Sequence, residues 1–188
     1  MTADAIEAVV IGASAGALEA LSVVLPALPF DYKLPVIVVV HVPPDKQSVL
    51  VELFRQKCDI SVREAEDKEP IAGGTIYFAP PDYHLLVEKD KSLALSSDEP
   101  VIFSRPSIDV LFESAADAYG PALLGVVLTG ANRDGANGMR AVSKAGGVAI
   151  VQRPEDAFAP AMPEAALAAS PTARILSLEE IAVHLQEV

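Results

Sequence analysis

The 188 residues suit one domain, since soluble domains run to roughly 100–200 residues and a core of that size closes without covalent staples. Apolar residues make up 51% and charged residues 21%, a balance that excludes a disordered chain. Acidic residues outnumber basic ones 26 to 14; the net charge of −12 excludes a surface built to grip nucleic-acid phosphates, and an anionic membrane would repel it.

The N-terminus carries no basic segment and places Asp4 and Glu7 ahead of a short apolar run, so no signal peptide is expected. The apolar stretch 34–42 is broken by Pro35 and His41 and falls short of the ~20 residues a membrane span needs, which points to a cytoplasmic protein. The single cysteine, Cys58, has no partner for a disulfide or a zinc pair and is expected to be a buried structural thiol.

In chain order, an apolar run at 8–11 is followed by a helical pattern at 15–28, a second apolar run at 35–40 and a second helical pattern at 47–58. The runs are continuous and β-branched, with no polar face to turn toward water, so they predict a parallel sheet covered on both sides. Residues 75–78, 84–87 and 93–95 are short and close together, separated by Pro80-Pro81-Asp82 and Lys89-Asp90-Lys91, and predict an antiparallel hairpin. The α/β rhythm then resumes: a helix at 107–119 capped by Ser107, a strand at 123–128, a helix at 134–144 and a strand at 148–151. A short helix at 163–169 has Pro163 in its first turn, and Ser177 with Glu180 forms a capping box for a last helix to residue 187. The expected fold is α/β: a mainly parallel, doubly wound sheet with helices on both faces and an antiparallel β-hairpin insertion, as one domain over 1–188.

The first strand runs through Gly12-Ala13-Ser14-Ala15-Gly16 directly into a helix, the strand-turn-helix setting of a nucleophile elbow. A serine hydroxyl needs a base to take its proton, and N–H groups at a helix start can stabilise an oxyanion. The alternatives are that Ser14 caps the helix, or that the turn cradles a phosphate as glycine-rich turns do in dinucleotide-binding folds. Against a cofactor role, His41 stands at the end of the second strand where a ribose-binding acid belongs, and no tyrosine has a lysine four residues later. His41 gives way at once to Val42-Pro43-Pro44 and is a candidate base, although a lone histidine there is often a hydrogen-bonded structural residue. Asp134 follows the 123–128 strand through a short loop and is either an N-cap or the carboxylate that orients His41. Three strand ends thus deliver Ser14, His41 and Asp134 toward one crevice, where open α/β sheets gather their functional groups. The chain order Ser, His, Asp excludes the α/β-hydrolases without excluding triad chemistry.

Five segments, Ile11 to Gly16, His41-Val42-Pro43-Pro44, Ala79-Pro80-Pro81-Asp82-Tyr83-His84, Arg105 to Phe112 and Leu128 to Gly135, together resemble the catalytic domain of the bacterial chemotaxis protein-glutamate methylesterases, the CheB family. The resemblance implies hydrolysis of glutamate γ-methyl esters on the cytoplasmic helices of methylated chemoreceptors, or on a related methylated signalling protein. Deamidation of glutamine is a related activity. It implies no metal or organic cofactor; the charge and the short apolar runs already speak against nucleic acid and membrane insertion. It assigns Ser14 as nucleophile, His41 as base and Asp134 as third member of the triad, with Arg105 and Ser107 as weaker candidates for shaping the cleft. His84 is expected to fix a turn, His184 to face solvent, and Met162 and Pro163 to serve as loop and helix-start residues. Two departures stand out: Ala15, Gly16 and Ala17 follow Ser14 where the family usually has Thr-Gly-Gly, and Ala131-Asn132 replace Met-Gly. They leave a third alternative, a non-catalytic relative that docks on signalling partners. The family's regulated form carries an N-terminal receiver domain, for which the chain leaves no room before its first strand.

Overall fold

The computed structural model describes residues 5–188 except Pro44 and Lys46, so Asp4 and the last proline of the 41–44 motif lie outside the described residues. Seven strands form one sheet in the order β3-β4-β2-β1-β7-β8-β9, every neighbouring pair parallel. They are β1 (Ala8–Ala13), β2 (Val36–Val40), β3 (Ser61–Glu64), β4 (Thr75–Phe78), β7 (Leu123–Val127), β8 (Val148–Gln152) and β9 (Arg174–Leu176). A separate antiparallel pair joins β5 (His84–Val87) to β6 (Leu93–Ser96). The helices are α1 (Ala17–Val24), α2 (Gln47–Lys57), α3 (Ile108–Tyr119), α4 (Ala136–Lys144), α5 (Ala161–Ala169) and α6 (Leu178–Glu187).

The alternation along β1 divides two cores. Val9, Ile11 and Ala13 pack with Leu21 of α1, Phe54 of α2 and Leu185 of α6, while Ala8 and Val10 pack with Phe112 of α3, Met139 of α4 and Ala166 of α5. The β5–β6 pair covers part of the second face through Leu85, Val87 and Leu93. Burying a side chain such as Leu21 or Phe112 contributes about 1.5–3 kcal/mol, which is why central strands with two apolar faces form only between two helical layers. The chain leaves β1 toward β2 on one side and later returns to β7 on the other, so the carboxyl ends of β1 and β7 flank the point where the winding reverses.

The structure corrects several expectations. Residues 75–78 belong to the parallel sheet, not to the hairpin, because all four side chains are buried and the Phe78 ring stacks on Phe54 with centroids 5.7 Å apart. Strands β3 and β9 carry no apolar run because they are short edge strands with mostly polar or exposed side chains. Helix α1 starts at Ala17, after Gly16 in the left-handed region (φ +83°), and α4 starts at Ala136, after Gly135 (φ +102°). Gly135, not Asp134, is therefore the N-cap of α4. Helix α5 begins at Ala161, before Pro163. Cys58 is half-buried, its thiol pushed up to about 11 by burial and by Asp59, and His184 is half-buried beside Arg174. Ser177 and Glu180 exchange the bonds of a capping box, at 3.1 Å and 2.7 Å. Among the described residues no helix is long and apolar enough to cross a membrane.

Candidate active site

Ser14 stands one residue beyond β1 and is half-buried. Its N–H donates to Thr129 O at 2.9 Å, which ties the elbow to the end of β7. Thr129 braces the turn further: its hydroxyl donates to Ala15 O at 2.8 Å and accepts from Ala159 N at 2.9 Å, while its own N–H donates to the buried Gln152 Oε1 at 2.9 Å. Gly12 lets α3 approach, since a Cβ there would lie 2.4 Å from Ile108 Cγ2. The Ser14 N–H is thus committed to Thr129, and Ile108 covers Gly12. The N–H groups of Ala15 and Gly16, just ahead of α1, make no hydrogen bond within the described chain.

His41 stands one residue beyond β2. Its N–H donates to Ala13 O at 3.1 Å, extending a register in which Ala13 faces Val40, so Ser14 and His41 form the next pair across the two strand ends. The imidazole is mostly buried, and Nε2 lies 2.7 Å from Asp134 Oδ2. With Nε2–H donating to the carboxylate, Nδ1 is the acceptor of the neutral ring; it is buried and has no partner among the described residues.

Asp134 is fully buried. Besides His41, Oδ2 accepts from Ile108 N at 2.7 Å, and Oδ1 accepts from Ser107 Oγ and Asp109 N, both at 2.9 Å. Three of these four donors form the first turn of α3, so the carboxylate sits on the positive end of that helix. Burial pushes the Asp134 carboxyl up, but the bonds from His41, Asp109 N and Ile108 N outweigh it and hold the group below its ordinary range.

Asp109 returns the arrangement. From the first turn of α3, its Oδ1 accepts from Gly135 N at 2.9 Å and Gly138 N at 2.7 Å, at the start of α4. Each of the two aspartates thus caps the helix that the other belongs to or precedes. Asp109 Oδ2 is buried with no partner among the described residues; burial, with the Asp134 charge nearby, raises the Asp109 carboxyl to about 6. Sequence reasoning did not single out Asp109; the signal was an acid among Ile108, Val110, Leu111 and Phe112, on a helix face that otherwise reads as core.

The secondary candidates have defined places. Ser107 both caps α3, accepting from Val110 N, and donates to Asp134. Arg105 grips Asp82 Oδ1 through Nε at 3.1 Å and Nη2 at 2.7 Å, and donates through Nη1 to the carbonyls of Ser97 and Asp98. It lines a cavity of about 310 Å³ with His41, Val42, Pro43, Phe103, Ser104 and Pro106. His84 is buried, with Nε2 against Glu99 O at 2.9 Å and Nδ1 accepting from Ser107 N at 3.2 Å, so it fixes the approach to α3 rather than the reacting centre. Met162 is buried in the first turn of α5 and packs on Gly130. Of the departing residues, Asn132 accepts from Asp134 N at 3.0 Å and braces the aspartate's backbone, and Ala17 opens α1 in the core.

The family model for CheB methylesterase matches residues 9–185. The chain belongs to the CheB methylesterase family. A Leptospira interrogans protein is 47% identical over 176 residues, which are 94% of this chain and 91% of that one. An Archaeoglobus fulgidus protein-glutamate methylesterase/protein-glutamine glutaminase is 35% identical over 180 residues, covering 94% of this chain and 52% of the relative, so the chain spans about half the length of that enzyme. The crystal structure of the Thermotoga maritima CheB methylesterase catalytic domain superposes with a TM-score of 0.92 at 30% identity, covering 97% of this chain and 98% of the other. The CheB catalytic-domain fold expected from the five motifs is therefore shown.

Proposed function

We propose that this single CheB-type domain is a serine esterase that hydrolyses glutamate γ-methyl esters on the cytoplasmic helices of methylated chemoreceptors, and that it deamidates glutamine at such positions. Ser14 is the nucleophile, His41 the general base and Asp134 the group that orients the imidazole. The observation that carries the assignment is the 2.7 Å bond from His41 Nε2 to the buried Asp134, one register step from a serine in a clamped elbow. His41 Nδ1 takes the Ser14 proton as Oγ attacks the ester carbonyl, and the resulting oxyanion meets the unengaged N–H groups of Ala15 and Gly16. The intermediate collapses with loss of methoxide, which takes the proton from His41 and leaves as methanol. Water, deprotonated by the same imidazole, then attacks the glutamyl-Ser14 ester; the Ser14 oxygen leaves, takes that proton back from His41, and the receptor's glutamate side chain is freed. Asp134 is ionised throughout and stabilises the imidazolium.

The names of the relatives support the substrate, and the absence of a spanning helix among the described residues is compatible with action in the cytoplasm. The test is methanol release from methylated receptor fragments. Wild-type protein should release it, and Ser14→Ala should not while still unfolding at the same temperature. A fluorophosphonate should label Ser14 in the wild type; release by the variant at the wild-type rate would remove Ser14 from the mechanism.

A further inference from the structure

The chain has six phenylalanines, and three of them, Phe30, Phe103 and Phe158, are exposed. Phe30 lies in the segment that feeds β2, at the end of the sheet away from Ser14. The other two stand beside the site. Phe158 follows β8 and leans on the elbow, where a Cβ on Gly16 would come within 2.7 Å of Phe158 Cβ. Phe103 lines the 310 Å³ cavity that has His41 in its wall. Phe158 thus lies against the turn that carries Ser14, and Phe103 shares a cavity wall with His41.

The backbone under Phe103 is unusual. Val101 and Ser104 exchange two hydrogen bonds, at 3.0 Å and 2.9 Å, across a two-residue turn. Its central residues, Ile102 (φ +49°) and Phe103 (φ +61°), are both left-handed, a conformation that asparagine and glycine ordinarily supply in such turns. A β-branched and an aromatic residue are held there only when the surroundings over-determine the turn, and such positions cluster at ligand-binding sites. Arg105, with four hydrogen bonds to Asp82, Ser97 and Asp98, supplies that restraint immediately after the turn. The outcome is a fully exposed ring at the tip of a rigid support, beside the candidate base.

We propose that Phe103 and Phe158 grip a polypeptide substrate, taking the apolar side chains that neighbour the reacting glutamate on an amphipathic helix. The proposal rests on the esterase reading above and adds which residues recognise the helix. The occupant follows from continuity: the cavity shares His41 with the site, so a chain whose ester reaches Ser14 must lay its neighbouring side chains across these rings. Exposed aromatic residues on rigid supports carry a disproportionate share of binding energy in such contacts.

Both rings are exposed, so their truncation leaves the core intact. With a methylated receptor fragment as substrate, Phe103→Ala and Phe158→Ala should each lower kcat/KM by about tenfold, chiefly through KM. Hydrolysis of free glutamate γ-methyl ester, which lacks the neighbouring side chains, should stay within about twofold, and Phe30→Ala should change neither. Equal losses on both substrates, or no loss on the fragment, would overturn the proposal. Calorimetry of the fragment with Ser14→Ala, with and without the two alanine substitutions, reads the grip without turnover. An unchanged Kd sinks the proposal while leaving the esterase reading intact; a weakened Kd with no methanol release from the wild type sinks the esterase reading and keeps the rings as a helix-binding surface.

Discussion

Replacing Asp134 by asparagine tests how fold and chemistry share one carboxylate. Its four donors are split between the two oxygens, Ile108 N–H and His41 Nε2 on Oδ2, Asp109 N–H and the Ser107 hydroxyl on Oδ1. The hydroxyl can rotate to accept and the imidazole can change tautomer, but a backbone N–H can do neither. Whichever way the amide is turned, its NH2 faces one backbone N–H that then has no acceptor. Leaving a buried donor unsatisfied costs about 1–3 kcal/mol. Removing a charge from a helix N-terminus costs a further ~0.3–1 kcal/mol. The expected loss is about 1–4 kcal/mol at pH 7, read as a lower denaturation midpoint in urea. The sign with pH follows from the depressed carboxyl: its stabilisation is present above the unfolded value of about 4 and is lost as pH falls through the folded value, so the gap between wild type and variant should close in acid. Methanol release should drop by roughly 10²–10⁴-fold, because the imidazolium loses its counter-charge. A variant with the wild-type midpoint and a rate within twofold would refute the assignment of Asp134 to both tasks.

Asp109 titrates in the opposite sense. Its folded value of about 6 lies above the unfolded ~3.9, so the wild type loses stability as pH rises between those values, and Asp109→Asn should gain stability relative to the wild type over that window in thermal melts. A difference between the two proteins that is flat with pH would place Asp109 elsewhere. Gly12→Ala drives a methyl into Ile108 and should cost about 1–3 kcal/mol in chemical denaturation. Removing the contacting γ carbons in the Gly12→Ala/Ile108→Ala double variant should make its loss smaller than the sum of the two single losses, and strictly additive losses would show that the clash is not with Ile108. Ser107→Ala removes one donor from Asp134 and the cap of α3, and should lower stability by about 1 kcal/mol in the same assay while slowing hydrolysis less than the Asp134 substitution.

The central strands could be read from the chain because β1, β2 and β7 are continuous apolar runs, and the turns after them could be read from Gly12, Gly16, Pro43 and Gly130. That sufficed to bring Ser14 and His41 side by side at the carboxyl ends of the strands, because position at a parallel strand end follows from register, and to place Asp134 in the loop after β7. The edges were not readable: β3 buries only Val62 of its four residues, and β9 has a half-buried leucine at best. Residues 75–78 were assigned to the hairpin because adjacency to 84–87 in sequence says nothing about a strand slipping between β2 and β3. The role of Asp134 at the start of α3 depends on two segments 25 residues apart meeting in space, and no local pattern around residue 134 or residue 109 announces it. The same holds for Phe103, whose exposure depends on Arg105 reaching Asp82.

The exchange of carboxylates between α3 and α4 has an evolutionary consequence. On the proposed mechanism Asp134 is under two separate selective demands, one from the reaction and one from the packing of two helices, whereas Ser14 contributes no side-chain bond to the described fold. A descendant that abandoned the chemistry would be free to change its serine and would still be held to its aspartate. Persistence of the acid is thus a poor witness to activity in this architecture, and the residue at the elbow is the informative one.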